Sequence, residues 1–389
     1  MNGHRRRVAV IGSGVSGLTA AYVLRTSHEV TLFEAADRLG GHADTHDVLD
    51  QKDHELAVDT GFIVHNERTY PVLLRLFDEL GVHTQPTDMS LSVRCDGCGL
   101  EYSGGQGAGG VLAQNRSLVR PHFLRMLVEI TRFHRLANAV LADRASGTDD
   151  QTMAEFLVQG GYSAYFTAHF ITPLIAAVWS CSAEAALQYP ARYLFAFLDN
   201  HGMLSIGGSP QWRTVVGGSR SYVQRAVKEL AVVRTGTPVR SLSRPGRAVE
   251  VRDAADRLSE FDAVVVATHP DQALALLADP TAAEREILSA FTYTSNPTVL
   301  HTDTSVLPQA ERARASWNYR MPSCSGGAEQ VRVSYDMTRL QRFPLRSGTW
   351  SRSTSVPKTS GRKRFWPGWT TPTRSSPRPR WPPRSGCRR

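Results

Sequence analysis

The chain has 389 residues, of which 41% are hydrophobic and 21% charged, with a formal net charge of +9. That composition excludes wholesale disorder and leaves room for two domains around a buried cofactor. Phe343 to Arg389 holds 12 Lys and Arg and no Asp or Glu, so the preceding body carries 33 basic against 36 acidic residues, which argues against a nucleic-acid-binding role.

Five sparse cysteines, Cys95, Cys98, Cys181, Cys324 and Cys387, form no disulfide scaffold and suit a reducing compartment. Arg5-Arg6-Arg7 followed by Val8-Ala9-Val10-Ile11-Gly12 is too short for a signal peptide. No window offers ~20 unbroken apolar residues. The protein therefore reads as cytoplasmic.

The spacing predicts a buried parallel strand at Val8 to Ile11, a helix over 17–26 and a second strand at Glu29 to Phe33. This is a βαβ opening. Ser90 to Tyr102 reads as a hairpin turning at Asp96-Gly97, and 104–110 as a glycine loop. Residues 117–141 have helical apolar spacing. Residues 153–197 read as an aromatic, helix-rich stretch broken at Gly160-Gly161, Pro173 and Pro190. Strands follow over 231–243, 248–252 and 261–267, then a short helix over 271–277 and strands at 299–302, 315–319 and 331–335.

Gly12-Ser13-Gly14-Val15-Ser16-Gly17 is G-x-G-x-x-G between a strand and a helix. The first glycine permits the turn, the second lets a pyrophosphate approach, and the third lets helix and strand pack closely. The helix N-terminus offers free N–H groups and the positive end of its dipole. Glu34 closes the second strand, where a carboxylate can accept hydrogen bonds from a ribose and disfavours a 2′-phosphate. A dinucleotide site is expected, with NADP the least favoured ligand and NAD or FAD left open.

Ala35-Ala36-Asp37-Arg38-Leu39-Gly40-Gly41-His42 and Val58-Asp59-Thr60-Gly61-Phe62 come next. With the glycine fingerprint, these segments resemble the FAD-dependent amine oxidase superfamily, which includes protoporphyrinogen oxidases and phytoene desaturases. Asn66 to Pro71, Leu100 to Gly104, Gln211 to Val215 and Ala315 to Tyr319 resemble a bacterial branch of NAD/FAD-binding oxidoreductases within it. The resemblance spans about residues 6–340 and implies FAD as cofactor. It implies that Gly12, Gly14, Ser16 and Gly17 line the pyrophosphate and Glu34 holds the ribose. Arg38, Gly40, Gly41 and His42 would lie along the diphosphate and near the isoalloxazine. Val239 would face the adenine, and Ala267 and Thr268 the cofactor's middle. His42 departs from the arginine common at its position.

The implied fold is α/β: a Rossmann-like FAD-binding domain from 1–70 and 208–275, and a helix-rich α+β substrate domain from 71–207 and 276–342. The implied function is hydride transfer between FAD and a small apolar, lipid-like substrate. No catalytic residue is fixed; His201 and Trp212-Arg213 are polar candidates beside an aromatic segment. No metal is assigned, because Cys95-Asp96-Gly97-Cys98 is half a zinc site; it reads as a free-thiol hairpin or a reversible disulfide. A stripe of Arg125, Arg132 and Arg135 allows peripheral contact with anionic lipid, against the plainer reading of a solvated face. Oligomeric state is open. An NAD-dependent dehydrogenase and a non-catalytic truncated remnant are the alternatives.

The tail from Phe343 has eight Pro, eight Ser, four of the seven Trp and no acidic residue. Disordered tails are poor in large aromatics. A one-base shift of frame maps each tryptophan to an aliphatic position and permits acidic residues to return, so the tail reads as irregular and out of frame. Superfamily members close with a glycine-containing strand-to-helix segment facing the flavin, and no such pattern follows Arg342. Weakened FAD binding is the expectation.

Overall fold

The computed structural model describes residues 5–50, 53–143, 151–179, 181–205, 207–291, 293, 297–324, 332–344 and 350–353. The chain opens with β1 (Arg7–Ile11), α1 (Val15–Leu24) and β2 (Glu29–Phe33). β1 pairs in parallel with β2 on one side and with Ala263–Val266 on the other, and Val232–Arg234 extends the sheet beyond β2. A parallel sheet needs cover on both faces. Alternation along β1 supplies it. Val10 turns to one face, where Leu18 and Ala21 of α1, Phe77, Tyr222 and Val223 pack. Ala9 and Ile11 turn to the other, against Leu242, Val251 and Phe261.

Those last residues belong to an antiparallel meander, Val239–Ser243, Val249–Asp253 and Leu258–Phe261. The stretch 231–243 is thus two strands in two sheets. The chain leaves the parallel sheet at Gly236, whose φ of +55° suits glycine and whose N–H donates to Ala36 O.

Six strands form a second large sheet in the spatial order Val299–His301, Ser351–Ser353, Val333–Asp336, Trp317–Met321, Leu91–Cys95, Glu101–Gly104. Helices cap it. The longest runs Pro121–Ala142, four residues later than the periodicity predicts. A 3₁₀ turn at Asn115–Val119 precedes it, and Pro121 starts the α-helix at the position where a missing N–H costs nothing. Its Phe123, Met126, Phe133 and Ala137 are buried, and the Phe133 ring meets Phe156, Phe166 and Phe195. Arg125 pairs with buried Glu129, and Arg132 lies over the Tyr162 ring.

Three expectations need correction. Gly107–Val111 is a short helix overlapping the stretch expected to be a glycine loop. Pro173 does not break the helical stretch: it sits in the first turn of Thr172–Trp179, directly after a π-turn at Thr167–Ile171. The wider turn lies where the ladder loses the proline donor. The segment expected to be irregular from Phe343 also contains regular structure. Ser351–Ser353 is a strand, and Trp350 beside it is buried, its N–H donating to Thr338 Oγ1. Small serines fit between two neighbouring strands there. The remainder of that tail, 345–349 and 354–389, lies outside the described residues. Among the described residues, no helix is long and apolar enough to cross a membrane.

Candidate functional site

The glycine loop lies at the carboxyl end of β1. Gly12 takes a φ of +98°, and a Cβ there would stand 2.8 Å from Ala267 O. A Cβ on Gly17 would stand 1.9 Å from Gly12 O and 3.2 Å from Ala267 Cβ, so the third glycine seats α1 against β1. A Cβ on Gly14 would meet nothing within 4 Å. The second glycine therefore answers to no neighbour of its own. It keeps the backbone bare in front of the exposed α1 N-terminus, where Ser16 is also exposed. Free N–H groups of a first helical turn suit a diphosphate.

Ser13, which the motif leaves unspecified, is fully buried. Its N–H and Oγ donate to Glu34 Oε2 at 2.9 and 2.5 Å, and Gly40 N–H donates to its Oγ at 3.0 Å. Ala36 N–H donates to Glu34 Oε1 at 2.9 Å. One hydroxyl thus ties the glycine loop, the Glu34 carboxylate and the next glycine turn. Ser13→Ala is expected to cost roughly 1–3 kcal/mol, as loss of a buried bond to a charged partner does. Thermal unfolding of the purified variant checks this.

The Arg38-to-Asp44 turn folds back on the loop. Gly41, at a φ of +57°, approaches so closely that its Cβ would lie 3.0 Å from Gly14 Cα. Arg38 donates to Ala43 O and Gly41 O, and its Nε lies 3.3 Å from buried Asp44. Burial opposes the Asp44 charge, but His46 and Arg38 outweigh it and hold the carboxyl below its usual range. Arg38 is therefore partly spent on its own turn. Gly40 is buried, and His42 is exposed with its ring 6.0 Å from that of His269. Ala267 N–H donates to Ile11 O, and Thr268 Cγ2 also borders Gly12. Thr237 N–H donates to Glu34 O, which brings Val239 beside the Glu34 end of the loop. The sequence-derived residues thus gather around one sheet end.

A cavity of about 230 Å³ lies beyond this turn. Phe62, Tyr70, Phe197, Trp212, Trp317 and Tyr335 supply its aromatic walls, and His201 is the imidazole among its lining residues. Contact with the glycine loop runs through Gly61, whose Cβ would stand 1.9 Å from His42 O. His201 Nδ1 lies 2.8 Å from Phe197 O, which only accepts, so Nδ1 carries the proton. Of the three polar candidates, His201 and Trp212 line the cavity. Arg213 points away and binds Thr84 through Oγ1 and the backbone carbonyl.

Asp59 anchors the turn carrying Gly61. It is fully buried and accepts from Thr45 Oγ1, Ser219 N–H and Oγ, and Gln341 Nε2. Its own N–H donates to Gln341 Oε1. Burial pushes the Asp59 carboxyl up to about 6 despite these donors.

Residues 15–336 match the family model described as flavin containing amine oxidoreductase. A Mycobacterium tuberculosis protein assigned by its name, AofH, to the flavin-containing monoamine oxidases is 30% identical over 292 residues, covering 70% of this chain. The chain spans 59% of that relative's length. A triple variant of putrescine oxidase superposes with a TM-score of 0.65 at 19% identity, over 90% of this chain and 75% of that one. A conjugated-linoleic-acid-producing fatty acid isomerase from P. acnes gives 0.59 at 16%, over 91% and 78%. At these identities the structural likeness shows a shared fold.

Proposed function

This chain belongs to the flavin-containing amine oxidoreductase family, and from that premise we propose that it is an FAD-dependent oxidoreductase acting on a small apolar substrate. The observation that carries the reading is the unbroken contact from Gly14 through Gly41, His42 and Gly61 to the aromatic cavity. In this reading the diphosphate cradle and the substrate pocket lie on either side of one short turn.

The residues present fit the cofactor, because Gly14 leaves open space at a helix N-terminus and Glu34 is held rigid beside it. Gly12, Gly14, Ser16 and Gly17 would hold the pyrophosphate and Glu34 the ribose. Val239 would border the adenine, and Ala267 and Thr268 the middle of the cofactor. Arg38, Gly40, Gly41 and His42 would lie toward its reactive end. Bound there, FAD would accept a hydride from the substrate. The protein's part is to bind and orient. The aromatic walls exclude water, and His201 Nε2 faces the task of accepting a substrate proton. The described cavity-lining residues are aromatic and aliphatic apart from His201, which supports the reading of an apolar substrate group. The flavin unit comprises 1–70 and 208–275, with Pro71–Glu79 packed on it through Phe77; 71–207 and 276–342 otherwise supply the substrate side. Weak flavin binding is part of this reading, because the stretch after Arg342 lacks the glycine-containing strand-to-helix pattern that the resemblance implies.

Thermal unfolding with added FAD and with added NAD tests the reading, since a ligand that binds the native state raises the midpoint. FAD is expected to raise it, only at concentrations well above equimolar, and NAD to leave it unchanged. A yellow protein purified with stoichiometric flavin would overturn weak binding. No shift at saturating FAD would overturn the flavin reading and leave a non-catalytic remnant.

A further inference from the structure

Cys95-Asp96-Gly97-Cys98 offers two thiols at the turn between the strands Leu91–Cys95 and Glu101–Gly104. The fold brings two more ligand types to them. Trp317–Met321 runs parallel to Leu91–Cys95 with Met321 opposite Cys95, so Cys324 emerges three residues later beside the turn. The π-turn Thr167–Ile171 delivers His169 from the helical cap. The ligand atoms of Cys95, Cys98, His169 and Cys324 all lie within 4.8 Å of one another. Cys95 Sγ is 3.7 Å from Cys324 Sγ, and Cys98 Sγ is 3.7 Å from His169 Nε2. A tetrahedral zinc with Zn–S near ~2.3 Å has ligand–ligand edges of ~3.8 Å.

We propose that Cys95, Cys98, Cys324 and His169 form a structural Cys₃His zinc site that clamps the helical cap to the six-stranded sheet.

The surroundings are those such a site needs. His169 Nδ1 lies 3.1 Å from Tyr165 O, a pure acceptor, so Nδ1 bears the proton and the Nε2 lone pair faces Cys98. A ligating histidine is oriented in this way by a second partner. The Tyr165 ring stacks on the imidazole at 4.0 Å and fixes its plane. Gly99, at a φ of +67°, turns the chain directly after the second cysteine. The backbone N–H groups of Cys98 and Leu100 reach the sulfurs of Cys95 and Cys98. Three thiolates, one neutral imidazole and Zn²⁺ sum to one negative charge. Arg120 stands beside it, with Nη2 donating to Cys98 O at 3.0 Å and Nη1 buried without a hydrogen-bond partner among the described residues. Four protein ligands close the coordination sphere, which marks a structural site and not a catalytic one. The glycine-loop elements contribute no ligand, so the proposal stands apart from the flavin reading.

The test is metal analysis of the full-length protein, expressed with zinc and purified under reducing conditions. One zinc per chain is expected. Cys324→Ser and His169→Ala are each expected to lose it, and Cys181→Ser, a buried free thiol elsewhere, to keep it. Because a ligand variant could fail to fold, wild-type protein is also stripped with a chelator and refilled with Co²⁺. A tetrahedral thiolate–cobalt absorption spectrum, with recovery of the unfolding midpoint on adding Zn²⁺, is the expected result. Protein without zinc whose thiols all react freely would overturn the proposal, as would a Cys95–Cys324 disulfide in the reduced-purified protein.

Discussion

Gly17→Ala is expected to destabilise the protein by on the order of 3 kcal/mol or more, while Gly14→Ala changes stability by about 1 kcal/mol or less. Both glycines belong to one motif, and both substitutions add one methyl group. At Gly17 that methyl would lie 1.9 Å from Gly12 O and against Ala267, backbone and β-carbon that cannot rotate away. Relief requires α1 to lift from β1, which uncovers Leu18 and Ala21 in a fully buried cluster. At Gly14 the methyl enters open space, and the residue already holds a φ of −61° that alanine accepts. Urea unfolding of the two variants separates the roles. Gly14→Ala is expected to retain the wild-type midpoint and lose the FAD-induced shift, because only an incoming diphosphate needs that space. Equal midpoints for the two variants would remove the packing account of the third glycine.

That contrast marks what the sequence could say. The βαβ opening, Glu34 and the paired glycines are local signals, and the strand, turn and helix they imply are the ones found. Ser13 carried no local signal, since any small residue fits the motif; its importance arises from Glu34 and Gly40 converging on one hydroxyl. The aromatic cavity draws Phe62, Tyr70, Phe197, Trp212, Trp317 and Tyr335 from across the chain, so the pocket exists only after the sheets assemble. Arg213 shows the same limit in reverse. It is adjacent in sequence to Trp212, but strand alternation sends it to the opposite face. Cys95 and Cys98 were legible as half a metal site, whereas the other half depends on a parallel pairing with Trp317–Met321 and on a π-turn. Neither leaves a periodicity to read.

Asp59→Asn and His65→Leu are expected to give stability–pH slopes of opposite sign between about pH 4 and about pH 6. Burial raises the Asp59 carboxyl from 3.8 to about 6. In that interval the folded protein holds a proton that the unfolded chain has released. The contribution is therefore complete below the unfolded value and lost as pH rises through about 6. His65 behaves oppositely. Burial, reinforced by Arg213, lowers it from 6.5 to about 4, and both ring nitrogens are buried without hydrogen-bond partners among the described residues. The unfolded chain then binds the extra proton, so this contribution is present above 6.5 and lost as pH falls toward 4. The two groups offset one another in the wild type, which should show a shallow dependence. Asp59→Asn leaves His65 alone, and stability should rise with pH across the window. His65→Leu fills the same space beside Phe77 and leaves Asp59, so stability should fall instead. Shifts of this size correspond to on the order of 2–3 kcal/mol across the window for each group. Urea midpoints at a series of pH values measure both slopes. Parallel slopes in the two variants would show that Asp59 and His65 do not titrate as their burial dictates. Opposed slopes would place the charge that holds the Gly61 turn, and with it the join between glycine loop and cavity, on a carboxylate that ionises only at about pH 6.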